Sequence, residues 1–301
     1  IERELGRGGM GVVYAGRQTY LDRPVAIKLL LIGEGSAADE FRARFQREAK
    51  ILAGLNHPNI VACHHAGLTP RDECYLIMEY IAGPNLRQYL RESGPLSLAA
   101  ALRLTAEIAD ALEHARQAGI IHRDVKPENI LLQPVPAGET PPGAAGVDDG
   151  FRYRAKLADL GLARPQATKA DAALTQQGQV LGTPVTMAPE QFDDPESVDH
   201  RADVYGLGCV VYHALAGRAA FADPQLSRMV QRKVTGEFQP LSQLRSDVPQ
   251  AVDELIAGLL AAERERRLSD YREIRLRCLQ LIEAGAATVV PPPAGIPRPP
   301  K

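Results

Sequence analysis

Cysteine is scarce in this chain of 301 residues. Cys63, Cys74, Cys209 and Cys278 lie far apart and show no paired metal-ligand spacing. That excludes a disulfide-framed miniature fold and a cysteine metal cluster, and it suits free thiols in a reducing compartment. His64 and His65 are adjacent in a strand-like run, so they point to opposite faces and make no metal pair. Net charge is nearly absent as well. At -2 it gives no electrostatic reason to expect nucleic acid or an anionic membrane as partner. No apolar run approaches the ~20 residues of a spanning helix, and no signal peptide is visible. The chain opens at Ile1, without an initiator Met and inside a strand-like run, which predicts a piece of a longer protein. With 45% hydrophobic residues it can bury a full core, in one large domain or two lobes.

The densest chemistry lies in His122-Arg123-Asp124-Val125-Lys126-Pro127-Glu128-Asn129. A carboxylate close to a lysine and an asparagine suits attack of a hydroxyl on a metal-bound phosphate. Asp124 would take or orient the hydroxyl proton, Lys126 would neutralise phosphoryl charge, and Asn129 would ligate Mg²⁺. A solvated turn between helix and strand is the plainer alternative for eight polar-rich residues, and the rest of the chain decides between them.

Glycines at Gly6, Gly8 and Gly11 would let backbone N–H groups approach phosphates. Such a pattern also occurs in dinucleotide-binding turns, but those need a helix after the glycines. Here the strand-like Val12-Val13-Tyr14 follows, favouring a hairpin flap. Val25-Ala26-Ile27-Lys28 is a short apolar strand with one lysine. From about Asp39 to Leu55, Phe41, Phe45, Leu52 and Leu55 recur at helical period, and Glu48 falls on the same stripe. A carboxylate there needs a cation, and Lys28 is the expected partner. Strands are predicted at Ile60–His65 and Cys74–Glu79. Helical patterns begin after Glu79-Tyr80-Ile81-Ala82-Gly83-Pro84, which marks a hinge. Backbone groups of Glu79 and Ile81 could there meet an adenine edge, with Met78 either limiting the pocket or serving as ordinary core.

Ser97 should cap a helix reaching Ala118, stopped by Gly119. Ile130–Leu132 and Lys156–Ala158 read as paired strands, and Asp159-Leu160-Gly161 supplies a second metal ligand in Asp159. Between them, Gln133–Ala155 is rich in Pro and Gly and reads as a long surface loop, either a docking site or decoration. Asp199–Gly217 is apolar on most sides and belongs in a core. Amphipathic helices run on to about Ala284, and Pro291–Lys301 reads as an extended linker.

In order and spacing these motifs resemble the eukaryotic-type protein Ser/Thr kinase family over about residues 1–284. They are Gly6-x-Gly8-x-x-Gly11-x-Val13, Val25-Ala26-Ile27-Lys28, His122-Arg123-Asp124, Asp159-x-Gly161 and Ala188-Pro189-Glu190. Gly8-Gly9-Met10-Gly11 and His57-Pro58-Asn59-Ile60-Val61 look like the bacterial receptor-type branch. The resemblance implies an α+β bilobal fold, with a small antiparallel β-rich N-lobe carrying one helix (about 1–80), a hinge (79–84) and a mainly helical C-lobe (85–284). Residues 285–301 would be a Pro-rich tail.

It implies ATP with Mg²⁺, or Mn²⁺ in its place, and protein substrates bearing Ser or Thr. Leu5, Gly6, Gly8, Gly9, Gly11, Val13, Ala26, Lys28, Glu79 and Ile81 would contact nucleotide. Lys28 and Glu48 would form an ion pair, Asp124 and Lys126 would act on the reacting groups, and Asn129 and Asp159 would hold metal. Glu190 would pair with Arg267, and Asp203 would anchor the central helix to the catalytic loop. Leu52, Cys63, His122 and Leu160 would stack as an apolar spine. Thr183 would bond near Asp124 and Lys126. Arg123 would hold a phosphate on the 162–182 segment, with Thr175 first and Thr168 second as acceptors.

The implied setting is cytoplasmic, with membrane attachment only through segments outside this chain, and pairing of copies through the N-lobe is allowed. Three departures stand out: Thr186 where relatives commonly carry Tyr, Leu160 where Phe is commoner, and the long Gln133–Ala155 loop. The rival readings are a pseudokinase acting as a nucleotide-gated binding module and a small-molecule phosphotransferase of related fold. The first would have lost Lys28, Asp124, Asn129 or Asp159. Against the second stand Ala188-Pro189-Glu190 and the loop before it, which build a peptide surface.

Overall fold

A computed structural model describes residues 1–8, 11–31, 36–136, 138–139, 150–160 and 184–286. The small lobe holds β1 (Arg3–Gly8), β2 (Gly11–Gln18), β3 (Arg23–Leu30), β4 (Cys63–Leu68) and β5 (Cys74–Glu79). These form one antiparallel sheet in the order β1-β2-β3-β5-β4. Every residue of β1 is exposed, so the glycine hairpin, whose register pairs Gly8 with Gly11, stands as a flap. Helix α1 (Ser36–Gly54) covers the sheet, burying Phe45 and Ala49 against Leu30, Cys74 and Leu76.

The second lobe holds α2 (Leu86–Ser93), α3 (Leu98–Gln117), the hairpin β6 (Ile130–Pro134) and β7 (Tyr153–Leu157), and the single turn α4 (Glu190–Asp193). It continues with α5 (Arg201–Ala216), α6 (Leu226–Thr235), α7 (Gln250–Leu259) and α8 (Tyr271–Leu281). Ser97 caps α3 by accepting from the Ala100 N–H at 3.2 Å, and Gly119, at φ 77°, turns the chain away. Helix α5 is apolar nearly all round and buried on all sides, as a core helix must be, and Gly217 at φ 69° ends it. The architecture is therefore α+β and bilobal, as the sequence implies.

The two lobes meet at two seams. At the hinge, Leu132 donates its N–H to the Pro84 carbonyl at 2.9 Å. A Cβ on Gly83 would sit 1.8 Å from the Leu132 carbonyl oxygen, so no larger residue fits that crossing. The second seam explains a shifted boundary. The strand expected over Ile60–His65 begins only at Cys63. Residues 59–61 are stitched to β7 instead, through Leu157 N to Asn59 O (2.8 Å) and Val61 N to Leu157 O (2.9 Å). The Asn59 side chain adds a bond to the Ala155 carbonyl at 2.8 Å.

Where α3 backs the β6–β7 hairpin, Glu107 accepts the Ala155 N–H at 2.7 Å, and its other oxygen has no partner among the described residues. Burial pushes its carboxyl up to about 7, against the Ala155 bond and the nearby Arg103 and Arg154. The folded state thus resists the charged form. Its stability is unaffected below the unfolded carboxyl value and falls as pH rises from there through about 7. Unfolding free energies of the wild type should drop by about 3 kcal/mol more than those of Glu107→Gln between pH 4.5 and 8. Parallel curves for the two proteins would remove Glu107 as the titrating group.

Candidate active site

The stretch 122–129 leaves α3 and turns under the cleft. Arg123 adopts φ 63°, a left-handed conformation rare outside glycine, so something must hold it. Buried Asp203, from the first turn of α5, does so by accepting the His122 N–H at 2.8 Å and the Arg123 N–H at 2.6 Å. Burial nonetheless pushes the Asp203 carboxyl up, since those bonds and the charges of His122 and Arg123 only partly offset the loss of water. His122 Nδ1 accepts the Asp124 N–H at 3.2 Å. The ring proton therefore sits on Nε2, which donates to the Ala158 carbonyl at 2.9 Å. One imidazole thus ties the loop to the end of β7. Gln191 steadies the other side by donating to the Arg123 carbonyl at 3.0 Å.

Within this frame Asp124 Oδ2 receives Lys126 Nζ at 2.7 Å and Asn129 Nδ2 at 3.2 Å. The Asn129 amide also donates to the Asp124 carbonyl at 2.8 Å, which turns its own oxygen outward. Asn129 is buried in the one-turn 3₁₀ helix Pro127–Asn129, whose first position Pro127 suits by having no N–H to satisfy.

Beside this loop stands Asp159, also left-handed at φ 61°. The Ala158 N–H bonds the Asn129 carbonyl at 2.8 Å, so Asn129 and Asp159 share one edge. Asp159 Oδ1 accepts Lys28 Nζ at 2.7 Å, and the residue lines the cleft together with Lys28. Desolvation opposes its ionisation, but Lys28, with help from His122 and Lys126, holds its carboxyl below the ordinary aspartate value.

Comparison with known proteins places the chain in a family. The model of the protein kinase domain matches residues 1–279. This chain belongs to the protein kinase domain family. It is 38% identical over 99% of its length to the serine/threonine-protein kinase PknJ of Mycobacterium tuberculosis, covering 48% of that protein. It is 34% identical to PknB of Mycolicibacterium smegmatis, over 94% of this chain and 42% of that one. To pkn3 of Myxococcus xanthus it is 34% identical, over 87% of this chain and 46% of the relative. The chain thus spans about half the length of the curated bacterial relatives it matches. Among solved structures, Rad53 residues 1–466 in complex with AMP-PNP superposes with a TM-score of 0.70 at 22% identity. That match covers 93% of this chain and 63% of Rad53, a likeness of fold.

The kinase domain departs from the sequence reading at Glu48. Lys28 pairs with Asp159, and Glu48 forms no ion pair with it. Two causes are visible. Glu48 sits at the edge of the α1 stripe whose centre is Phe45 and Ala49, and only half-buried. Lys28 also lines a cleft with Leu52, Leu55 and Asp159 among others, and it is Asp159 on that cleft that its ammonium meets. Burial raises the Glu48 carboxyl, while Arg44, Arg47 and Arg123 pull it back. Leu52, Cys63 and Leu160 line that cleft together, and His122 reaches the strand end two residues before Leu160.

Most positions expected to face nucleotide fall on the small lobe. Leu5, Gly6 and Gly8 lie on the exposed flap, Val13 is opposite Lys28, and Ala26 is opposite Met78. The Glu79 N–H is taken by the Ala62 carbonyl at 2.9 Å, so of its backbone groups only the carbonyl could meet a base edge. Its side chain turns back to Lys156 Nζ at 2.9 Å and the Ala62 N–H at 3.2 Å, a tie that sequence spacing did not suggest. Ile81 is buried at the hinge. Gly9, Gly161, Thr168, Thr175 and Thr183 lie outside the described residues. Glu190 and Arg267 pair as the resemblance implies, at 2.6 and 2.9 Å.

Proposed function

We propose that this chain is the catalytic domain of a protein Ser/Thr kinase, moving the γ-phosphoryl group of Mg·ATP to serine or threonine hydroxyls of proteins. The observation that carries it is Asp124, held by Lys126 and Asn129, with Asn129 bonded in turn to the Ala158 N–H just before the Lys28–Asp159 pair. The donor set fits a hard divalent cation: Asn129 Oδ1 and Asp159 Oδ2 are oxygens on one edge, and Asp159 is kept ionised. Mg·ATP, when bound, supplies the phosphoryl group and the positive charge that offsets its oxygens. Rad53 in complex with AMP-PNP supports a nucleotide in the same cleft.

Asp124 orients the acceptor hydroxyl and takes its proton on the carboxylate. Lys126, 2.7 Å away, keeps that carboxylate in place and places positive charge beside the transferring group. Lys28 orients the α- and β-phosphates from β3, while the Gly6–Gly11 flap and the hinge groups of Glu79 and Ile81 position the nucleotide. The domain runs from 1 to 284, hinged at 79–84, with 285–301 as tail. Arg123 receives a phosphate carried on Thr175 or Thr168, and Thr183 bonds the loop near Asp124. Copies pair through the N-lobe, and any membrane attachment comes from segments outside this chain.

The direct test is radiolabelled γ-phosphate transfer from Mg·ATP to myelin basic protein, with modified sites mapped by mass spectrometry. Label on serine and threonine of the acceptor, and on Thr175 or Thr168 of the chain, is expected. If ATP binds and no phosphate moves, the nucleotide-gated binding module replaces this reading.

A further inference from the structure

Lys233, on α6, is completely buried. Its ammonium has no carboxylate partner among the described residues. It donates to two main-chain carbonyls, Val185 at 2.9 Å and Met187 at 2.7 Å. The Tyr205 and Phe221 rings complete the enclosure, with centroids 4.9 and 5.3 Å from the nitrogen. Taking an ammonium out of water is costly, and an apolar side chain of similar volume would ordinarily stabilise such a site better. Burial accordingly draws the Lys233 ammonium below its ordinary lysine value, opposed by Cys209 and reinforced by Arg267. The cost is balanced by two ring faces and by two charge-assisted bonds, both of which go to one short segment.

That segment lies beside the reacting groups. Residues 184–186 form a turn, and Thr186 and Met187 line a small cleft together with Asp124 and Gln191. Its carbonyls at 185 and 187 are drawn to a single nitrogen 46 to 48 residues further along the chain. Thr186, between them, is buried. The main chain next to Asp124 is therefore held from beneath by one side chain on another helix.

We propose that Lys233 is a positioning residue for the acceptor protein: by tying the Val185 and Met187 carbonyls it fixes the loop on which the acceptor chain lies beside Asp124. The inference deepens the phosphotransfer reading and rests on it. Nucleotide binding uses the opposite wall of the cleft, so the effect falls on the acceptor and spares ATP.

The test is steady-state transfer to myelin basic protein by the whole chain, comparing wild type, Lys233→Met and Lys233→Gln. Lys233→Met should raise KM for the acceptor by about tenfold, while KM for ATP and acceptor-independent ATP hydrolysis stay within about twofold. Lys233→Gln keeps two N–H donors on a shorter side chain and should fall between, at about threefold. An unchanged acceptor KM in Lys233→Met overturns the inference, as does an equal loss for acceptor and ATP. Should Lys233→Met fail to fold, Lys233→Gln decides: a raised acceptor KM with unchanged ATP KM supports the assignment, and no change overturns it. Absence of transfer from the wild-type chain would overturn the phosphotransfer reading together with this inference. Transfer with an unchanged acceptor KM overturns this inference alone.

Discussion

Asp124→Asn is expected to lower phosphate transfer by about 10²- to 10⁴-fold while ATP affinity stays within about threefold. The amide has the carboxylate's shape, and its oxygen can still receive the Lys126 and Asn129 bonds seen at 2.7 and 3.2 Å. It cannot take a proton. The loss should therefore appear in kcat, with nucleotide binding intact, because the substitution leaves the Lys28–Asp159 pair unchanged. Single-turnover transfer and nucleotide titration on both proteins separate the two quantities. Transfer within tenfold of wild type would remove Asp124 as the proton acceptor and leave only a positioning part for it.

The largest stability effect should come from Arg267→Ala, a loss of about 3–5 kcal/mol. The Arg267 side chain is wholly inaccessible and meets both oxygens of Glu190, itself 13% exposed, at 2.6 and 2.9 Å. It also donates to the carbonyls of Ala261 (3.0 Å) and Arg201 (2.7 Å), and its guanidinium lies 5.0 Å from the Tyr205 ring centroid. Truncation strands the Glu190 carboxylate and several buried carbonyls at once. The neutral pair Glu190→Gln with Arg267→Met should recover part of the loss, because no charge is then left unpaired. Urea unfolding of both single variants and the double variant measures this. A cost for Arg267→Ala below about 1 kcal/mol would show that water reaches Glu190 and that the pair is not structural.

Sequence reading went furthest where chemistry is set by near neighbours. Asp124, Lys126 and Asn129 lie within six residues, so their mutual bonds follow from one turn with Pro127 at its start. The glycine hairpin, the Ser97 cap, the Gly119 stop and the buried character of α5 are likewise local or periodic properties. Asp203 and the Glu190–Arg267 pair came from the family resemblance, since 81 and 77 residues separate the partners and no spacing rule connects them.

Glu48 marks the limit. Helical period told which stripe of α1 faces the sheet but not how far the helix stands from it, and that distance decides which carboxylate reaches Lys28. Lys233 gave no signal at all. A lysine on an amphipathic helix reads as a solvated charge, and only the convergence of α6 with the Val185–Met187 carbonyls makes it buried. The sequence by itself thus determined the family, the bilobal α+β class and the residues able to do the chemistry, because these depend on residue type at short range. Tertiary structure alone decided the pairing of Lys28 with Asp159 and the anchoring of the Val185 and Met187 carbonyls on Lys233. Those depend on the relative placement of elements far apart in the chain, where a shift of a few ångströms changes which polar groups meet.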